Sequence, residues 1–279
     1  QHKNTFAIGH GCAPLWPIVS QQVSVESVEI SFIPKYEVSP VTSELPADHL
    51  LYQSDVFSLQ YLASDSIEWE RKREKLQEFI DSYTEWVSLE AEREIPLGLD
   101  EAAKRILTRL ELAAERMTKG LRFLSDNPAA KKCFVLANRI MQMQMIHSSE
   151  EFGGTMRDAN SFDIYKPDYT HPKWSHLRWR PFQLAFQLLA IESVGNDNSD
   201  EREVADLIWF PTGGGKTEAY LAVSAFELFH RRCQHGDAGG GTAIILRYTL
   251  RLLTTQQFQR AAAMISACEI TRREDPDDW

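Results

Sequence analysis

Cysteine is scarce and scattered. Cys12, Cys133, Cys233 and Cys268 are the only four in 279 residues, and no two of them form a C-x-x-C pair, which argues against a disulfide framework and against a four-thiolate zinc site. His230, Cys233 and His235 come nearest to a metal pattern, but three potential ligands at a helix end fall short of the four that a structural zinc site takes. Long apolar runs are also missing. Nothing approaches the 18 residues of a membrane helix, and Gln1 to Asn4 show neither a basic leader followed by an apolar stretch nor an initiator Met. The expectation is an internal piece of a longer protein, working in a reducing cytoplasm without a membrane. Positive charge is lacking overall: the net charge of -10 excludes coating of nucleic acid by bulk electrostatics.

What is present suits a folded chain, with 43% hydrophobic and 25% charged residues. The acidity is uneven. Residues 1–160 hold 24 acids and 17 bases, whereas Thr242 to Arg273 hold five arginines against the single acid Glu269, so the back of the chain is locally basic. From Gln21 to Val41, Val23, Val25, Val28, Ile30 and Phe32 alternate with polar residues and predict strand. Three helices follow. Leu76, Phe79, Ile80, Tyr83 and Val87 share one face, as do Ala103, Ile106, Leu107, Leu110, Ala114, Met117, Leu121 and Leu124. Asn127 and Pro128 then supply a cap and a first-turn proline for a helix with Phe134, Ala137, Ile140, Met141 and Met145 inward. Met141, Met143 and Met145 are expected in the core rather than at a metal. Gly9 to Cys12 bring a His and a Cys together but show no third, orienting residue, which favours a buried turn over a nucleophile.

After Glu151 an aromatic, Pro-containing stretch without periodicity marks a linker. The expected organisation is an accessory domain over residues 1–150 with β-strands and a bundle of long helices, a linker over 151–177, and an α/β domain over 178–279. In that last part a helix from Pro181, a strand at Asp206 to Phe210, a helix from Lys216, a strand at Thr242 to Tyr248 and a final helix predict a parallel sheet with crossover helices.

The chemistry concentrates at Phe210 to Thr217, Phe-Pro-Thr-Gly-Gly-Gly-Lys-Thr, which fits G-x-x-x-x-G-K-[ST] except for Phe at the first position. Glycines between a strand and a helix let successive backbone N–H groups converge on phosphate oxygens, and the helix N-terminus adds partial positive charge. The nucleotide would be ATP with Mg²⁺. Pro211, Thr212, Gly213, Gly214, Gly215 and Glu218 would form the cradle, Lys216 would reach the β- and γ-phosphates, and the Thr217 hydroxyl would ligate the metal.

The stretch from Pro211 to Glu218 resembles motif I of superfamily 2 helicases. Arg180, Pro181, Phe182 and Gln183 are similar to that family's R-x-[FY]-Q segment, which implies that Gln183, with Arg180 beside it, reads the adenine edge; an amide suits this because it offers a donor and an acceptor together. Thr249 to Gln256 resemble motif Ia, with Arg251, Leu253 and Gln256 matching and the Pro-Thr pair replaced. The resemblance implies that Thr249, Arg251 and Gln256 touch the backbone of the tracked strand. Within the superfamily, Phe6 to Ala13, Arg178 to Phe186, Trp209 to Tyr220 and Arg247 to Arg260 are similar to the helicase-like proteins of the DISARM anti-phage systems. That implies a RecA-like first motor domain, a DNA-binding helicase or translocase, and a partner subunit in a defence complex. No D-E-x-H follows the glycine loop before Trp279, and Asp275 to Asp278 form an acidic tail, so these residues are expected to bind nucleotide without turning it over. Another P-loop enzyme and a non-catalytic docking module stay open as alternatives; the absence of N-K-x-D disfavours a GTPase.

Overall fold

The computed structural model describes residues 14–15, 27–30, 42–149, 167–209, 214–247 and 251–274. Expectations for Gly9 to Cys12, for most of the stretch from Gln21 to Val41, for the linker at 151–166, for Phe210 to Gly213, for Thr249 and for the acidic tail lie outside them. The chain divides into two units, residues 1–41 and 42–279. In the first, two short strands, Pro14–Leu15 and Glu29–Ile30, pair antiparallel with Pro14 opposite Ile30. The second unit is helical: α1 (Leu59–Ala63), α2 (Trp69–Ala91), α3 (Asp100–Asp126), α4 (Pro128–His147), α5 (Pro181–Gly195), α6 (Lys216–His235) and α7 (Arg251–Glu274).

The local reasons are visible. Ser58 caps α1, its side chain accepting from the backbone N–H of Tyr61, and Asn127 caps α4, accepting from Ala130 N at 3.0 Å with Pro128 in the first turn. Each such cap satisfies a donor that a helix end leaves orphaned. The apolar face of α2 buries Leu76, Phe79, Ile80 and Val87. On α3 only the second half of the stripe is covered: Ala114, Met117, Leu121 and Leu124 are buried, but Ile106 is exposed. α4 is the centre, packed against α1, α3, α6 and α7. Met141 and Met143 are buried in the apolar core and Met145 is partly buried against it, in line with the expected packing role.

The parallel sheet expected over residues 178–279 is absent among the described residues, and with it the RecA-like domain. Residues 206–209 and 242–247 have no regular structure. Leu207, Trp209 and Ile245 are each more than 80% exposed, the opposite of a central parallel strand covered by helices on both faces. A strand is stable only where a neighbour completes its ladder, and among the described residues neither run has one. The helices that would have flanked a sheet instead pack on one another: α6 lies against α4 and α5, and α5 against α3. No helix among the described residues is long and apolar enough to cross a membrane.

Two contacts set α5 in place. A Cβ added at Gly120 of α3 would lie 1.8 Å from the Leu188 carbonyl oxygen of α5, so the two backbones touch where only glycine fits. Ahead of α5, Trp179 N donates to Phe57 O at 2.7 Å, and its indole N–H donates to Asn138 Oδ1 at 2.7 Å. Farther on, buried Arg116 of α3 grips Asp206 through two nitrogens and also bonds Glu201, with Lys119 on the same carboxylate at 2.9 Å. This network holds the loop after α5 to α3. On α6, His230 is fully buried, stacked on Phe226 at 5.1 Å with Phe123 edge-on, and neither ring nitrogen has a hydrogen-bond partner among the described residues.

Gly120→Ala is expected to destabilise the protein by about 1–3 kcal/mol or more, because the methyl cannot enter without separating α3 from α5; urea denaturation measures it, and an unchanged midpoint would refute the close approach. Burial pushes the His230 pKa below its ordinary 6.5. The unfolded chain therefore gains a proton that the folded chain refuses, so stability present above 6.5 is lost as pH falls through that value toward the folded pKa. His230→Phe should flatten the melting-temperature profile between about pH 7 and about pH 5, whereas an unaltered slope would show that His230 contributes nothing to it.

Candidate functional site

The glycine turn meets α6 at Gly215, which has φ +83° and caps the helix. That left-handed conformation suits glycine, and a Cβ there would also come within 2.6 Å of Gln183 Nε2. α6 then opens with Lys216, half-buried, and Thr217, buried. The Thr217 hydroxyl accepts from Tyr220 Oη at 3.1 Å, one helical turn on. Nothing in the motif named Tyr220, although the i, i+3 spacing would have located it.

Arg180 and Gln183, separated from the turn by more than 30 residues, are brought directly onto it. Arg180 Nη1 donates to Gly214 O at 2.6 Å, and Gln183 Nε2 donates to Gly215 O at 2.7 Å. The other end of the same amide, Oε1, accepts from Arg180 N at 2.8 Å, closing the first turn of α5. Gln183 is 4% exposed. Its donor and acceptor are thus both engaged by the protein, and in this arrangement it acts as a strut between α5 and the turn.

The opposite wall is ionic. Glu218 Oε1 receives Arg260 Nη1 of α7 at 2.8 Å, while Glu218 Oε2 is buried with no hydrogen-bond partner among the described residues and would lie 3.5 Å from a Cβ on Gly215. Arg260 was visible in sequence as part of the basic segment, but its attachment to Glu218 was not. Gln256, earlier on α7, is exposed. Arg251 is the first residue of α7. The structure therefore unites Arg180, Gln183, Gly214, Gly215, Thr217 and Glu218 at one helix end, with α7 joined to it through Arg260. Among the described residues no three His, Cys, Asp or Glu side chains gather as a metal would need.

The residues present suit the ligands that the motif implies. Gly215 is a cradle that a Cβ would fill, the first N–H groups of α6 lack intrahelical partners by construction, and the Thr217 hydroxyl is an oxygen donor of the kind that a hard divalent cation takes.

No protein-family model matches the chain. It is 36% identical, over 286 aligned residues, to the DISARM protein DrmA of Bacillus paralicheniformis, an alignment that covers 98% of this chain and 24% of that protein. The alignment thus extends over nearly the whole of this chain, while the chain spans about a quarter of its relative's length.

Gln183→Leu keeps the volume but removes both amide bonds, leaving the Gly215 carbonyl and the Arg180 N–H without their partner. The expected cost is about 1–3 kcal/mol, together with faster amide hydrogen exchange confined to the start of α6. Exchange that rises evenly over the whole chain, or not at all, would show that Gln183 is no strut.

Proposed function

We propose, from the premise that this chain is similar to part of a DISARM DrmA protein, that it carries the phosphate-binding turn of an ATP-driven, DNA-acting motor in an anti-phage defence complex. The observation that carries this reading is the convergence of three sequence-distant groups on the start of α6: Gln183 and Arg180 bonded to the carbonyls of Gly215 and Gly214, and Glu218 bonded to Arg260.

With the two carbonyls fixed from behind, the Gly214 and Gly215 peptides are held in one orientation before any ligand arrives, so little ordering entropy remains to be lost on binding. Lys216 and the N–H groups at the start of α6 would meet the β- and γ-phosphates, and Thr217 would hold Mg²⁺ through its hydroxyl, which the Tyr220 donor orients. Bound ATP-Mg²⁺ would supply the phosphoryl group whose transfer drives the motor. The chain's own part is to bind and orient it. In the 279 residues no D-E-x-H follows the turn, so this segment is assigned binding, and hydrolysis is assigned to the longer protein, where carboxylates and arginines from elsewhere complete the site.

α7 connects the turn to DNA in this reading. Arg251 and Gln256 would lie along the strand's backbone, with Thr249 just ahead of them, and Arg260 of the same helix would tie that contact to Glu218, so that a shift of α7 on DNA changes the restraint on the nucleotide turn. The net charge of -10 on the whole chain means such contacts are few and local. A protein partner would complete the complex.

In full-length protein, DNA-stimulated ATP hydrolysis is expected, with Lys216→Ala reducing it by about a hundredfold or more and Thr217→Ala raising the Mg²⁺ requirement. Hydrolysis that persists at full rate in Lys216→Ala, or that ignores every DNA tested, would overturn the motor assignment.

A further inference from the structure

Cys133 and Cys233 stand 100 positions apart in the chain, yet their Sγ atoms are 3.7 Å apart. Cys133 lies on α4 with no exposed surface, and Cys233 lies near the end of α6 as an exposed residue. The two helices are among the most closely packed in the molecule. At this separation the sulfurs are in contact but not bonded; a disulfide needs them near 2.0 Å. Cys268 differs: its Sγ donates to Met264 Sδ on its own helix, and no second thiol faces it among the described residues.

We propose that Cys133 and Cys233 are an oxidative modification site, at which a hydroperoxide closes a disulfide between α4 and α6. The exposed Cys233 is the sulfur that an oxidant reaches. Its thiolate attacks one peroxide oxygen, the O–O bond breaks, and the departing oxygen takes a proton and leaves as water, with Cys233 now a sulfenic acid. The Cys133 sulfur then attacks the Cys233 sulfur. The S–S bond forms as the S–O bond breaks, and the Cys133 proton goes with the leaving hydroxide as a second water. In sum, two thiols and one hydrogen peroxide give one disulfide and two waters, and a dithiol reductant reverses it.

The order of events follows from the surroundings. The neighbouring Cys233 sulfur and burial both drive the Cys133 thiol pKa far up, so it is a poor first nucleophile but sits where a resolving thiol must be. The consequence is mechanical: α6 begins at Lys216 and Thr217, so the bond would fasten the helix that opens at the nucleotide turn to the central helix α4, roughly 25 Å from that turn at 1.5 Å per residue.

The test is peptide mapping by mass spectrometry after brief treatment of the purified protein with a few equivalents of hydrogen peroxide. The expected product is an intramolecular linkage between the Cys133 and Cys233 peptides, with two of the four thiols lost to a thiol reagent and recovered by dithiothreitol. Cys233→Ser, a change at the surface, should abolish the linkage, and Cys133→Ala should leave a dimedone-trappable sulfenic acid at Cys233. Oxidation of Cys233 to the sulfinic acid without any cross-link, or a linkage equally abundant with Cys268 or between chains, would overturn the proposal. Should Cys133→Ala fail to fold, the native protein and Cys233→Ser still decide it.

Discussion

The carbonyl of Gly215 is the fixed point of this structure. One amide, that of Gln183, holds it at 2.7 Å while its other end closes the start of α5. The residue is 4% exposed, so losing either bond leaves a largely desolvated polar group short of a partner, and the two helices are positioned through it. α6 inherits its starting point from this bond, and everything along α6 follows: Thr217 facing Tyr220, Glu218 facing Arg260, His230 between Phe226 and Phe123, and Cys233 against Cys133. The core around α4 supplies most of the stability, at about 1.5–3 kcal/mol for each large apolar side chain fully buried. Burial has no direction, however, and the polar bonds choose which helix end meets which.

Ionic contacts perform a second positioning task. Arg116 is buried and forked onto Asp206, with Glu201 shared between it and Lys119. Burying a guanidinium is tolerable only when its donors are met. Here they anchor the loop that leaves α5 and leads toward the glycine turn. The turn is thus held near its base by Arg180 and Gln183, and the segment before it is held by α3.

Much of the helical part was legible because a helix stripe needs only the right spacing. Leu76, Phe79, Ile80 and Val87, and likewise Met117, Leu121 and Leu124, are inward as their period predicts, and Asn127 with Pro128 opens α4 by a local bond that requires nothing distant. The first turns of the second stripe are less covered: Ala103, Leu107 and Leu110 are half-buried and Ile106 is exposed. The strand expectation at 206–210 and 242–248 failed. A short apolar run shows only that residues prefer burial, and whether it becomes strand depends on a neighbouring ladder that the run itself does not encode.

By itself the sequence determined where the local features fall: a glycine ahead of a lysine and a threonine at one helix start, a Gln at another, and arginines gathered toward the back. Local backbone preference and side-chain inventory suffice for that, since each is a property of a few adjacent residues. Only the tertiary structure decided that Gln183 and Arg180 grip the turn, that Arg260 meets Glu218, that α3 touches α5 at Gly120, and that two thiols 100 residues apart share a contact. Each of these depends on how helices pack, and packing is settled by the sum of many buried contacts rather than by any one segment.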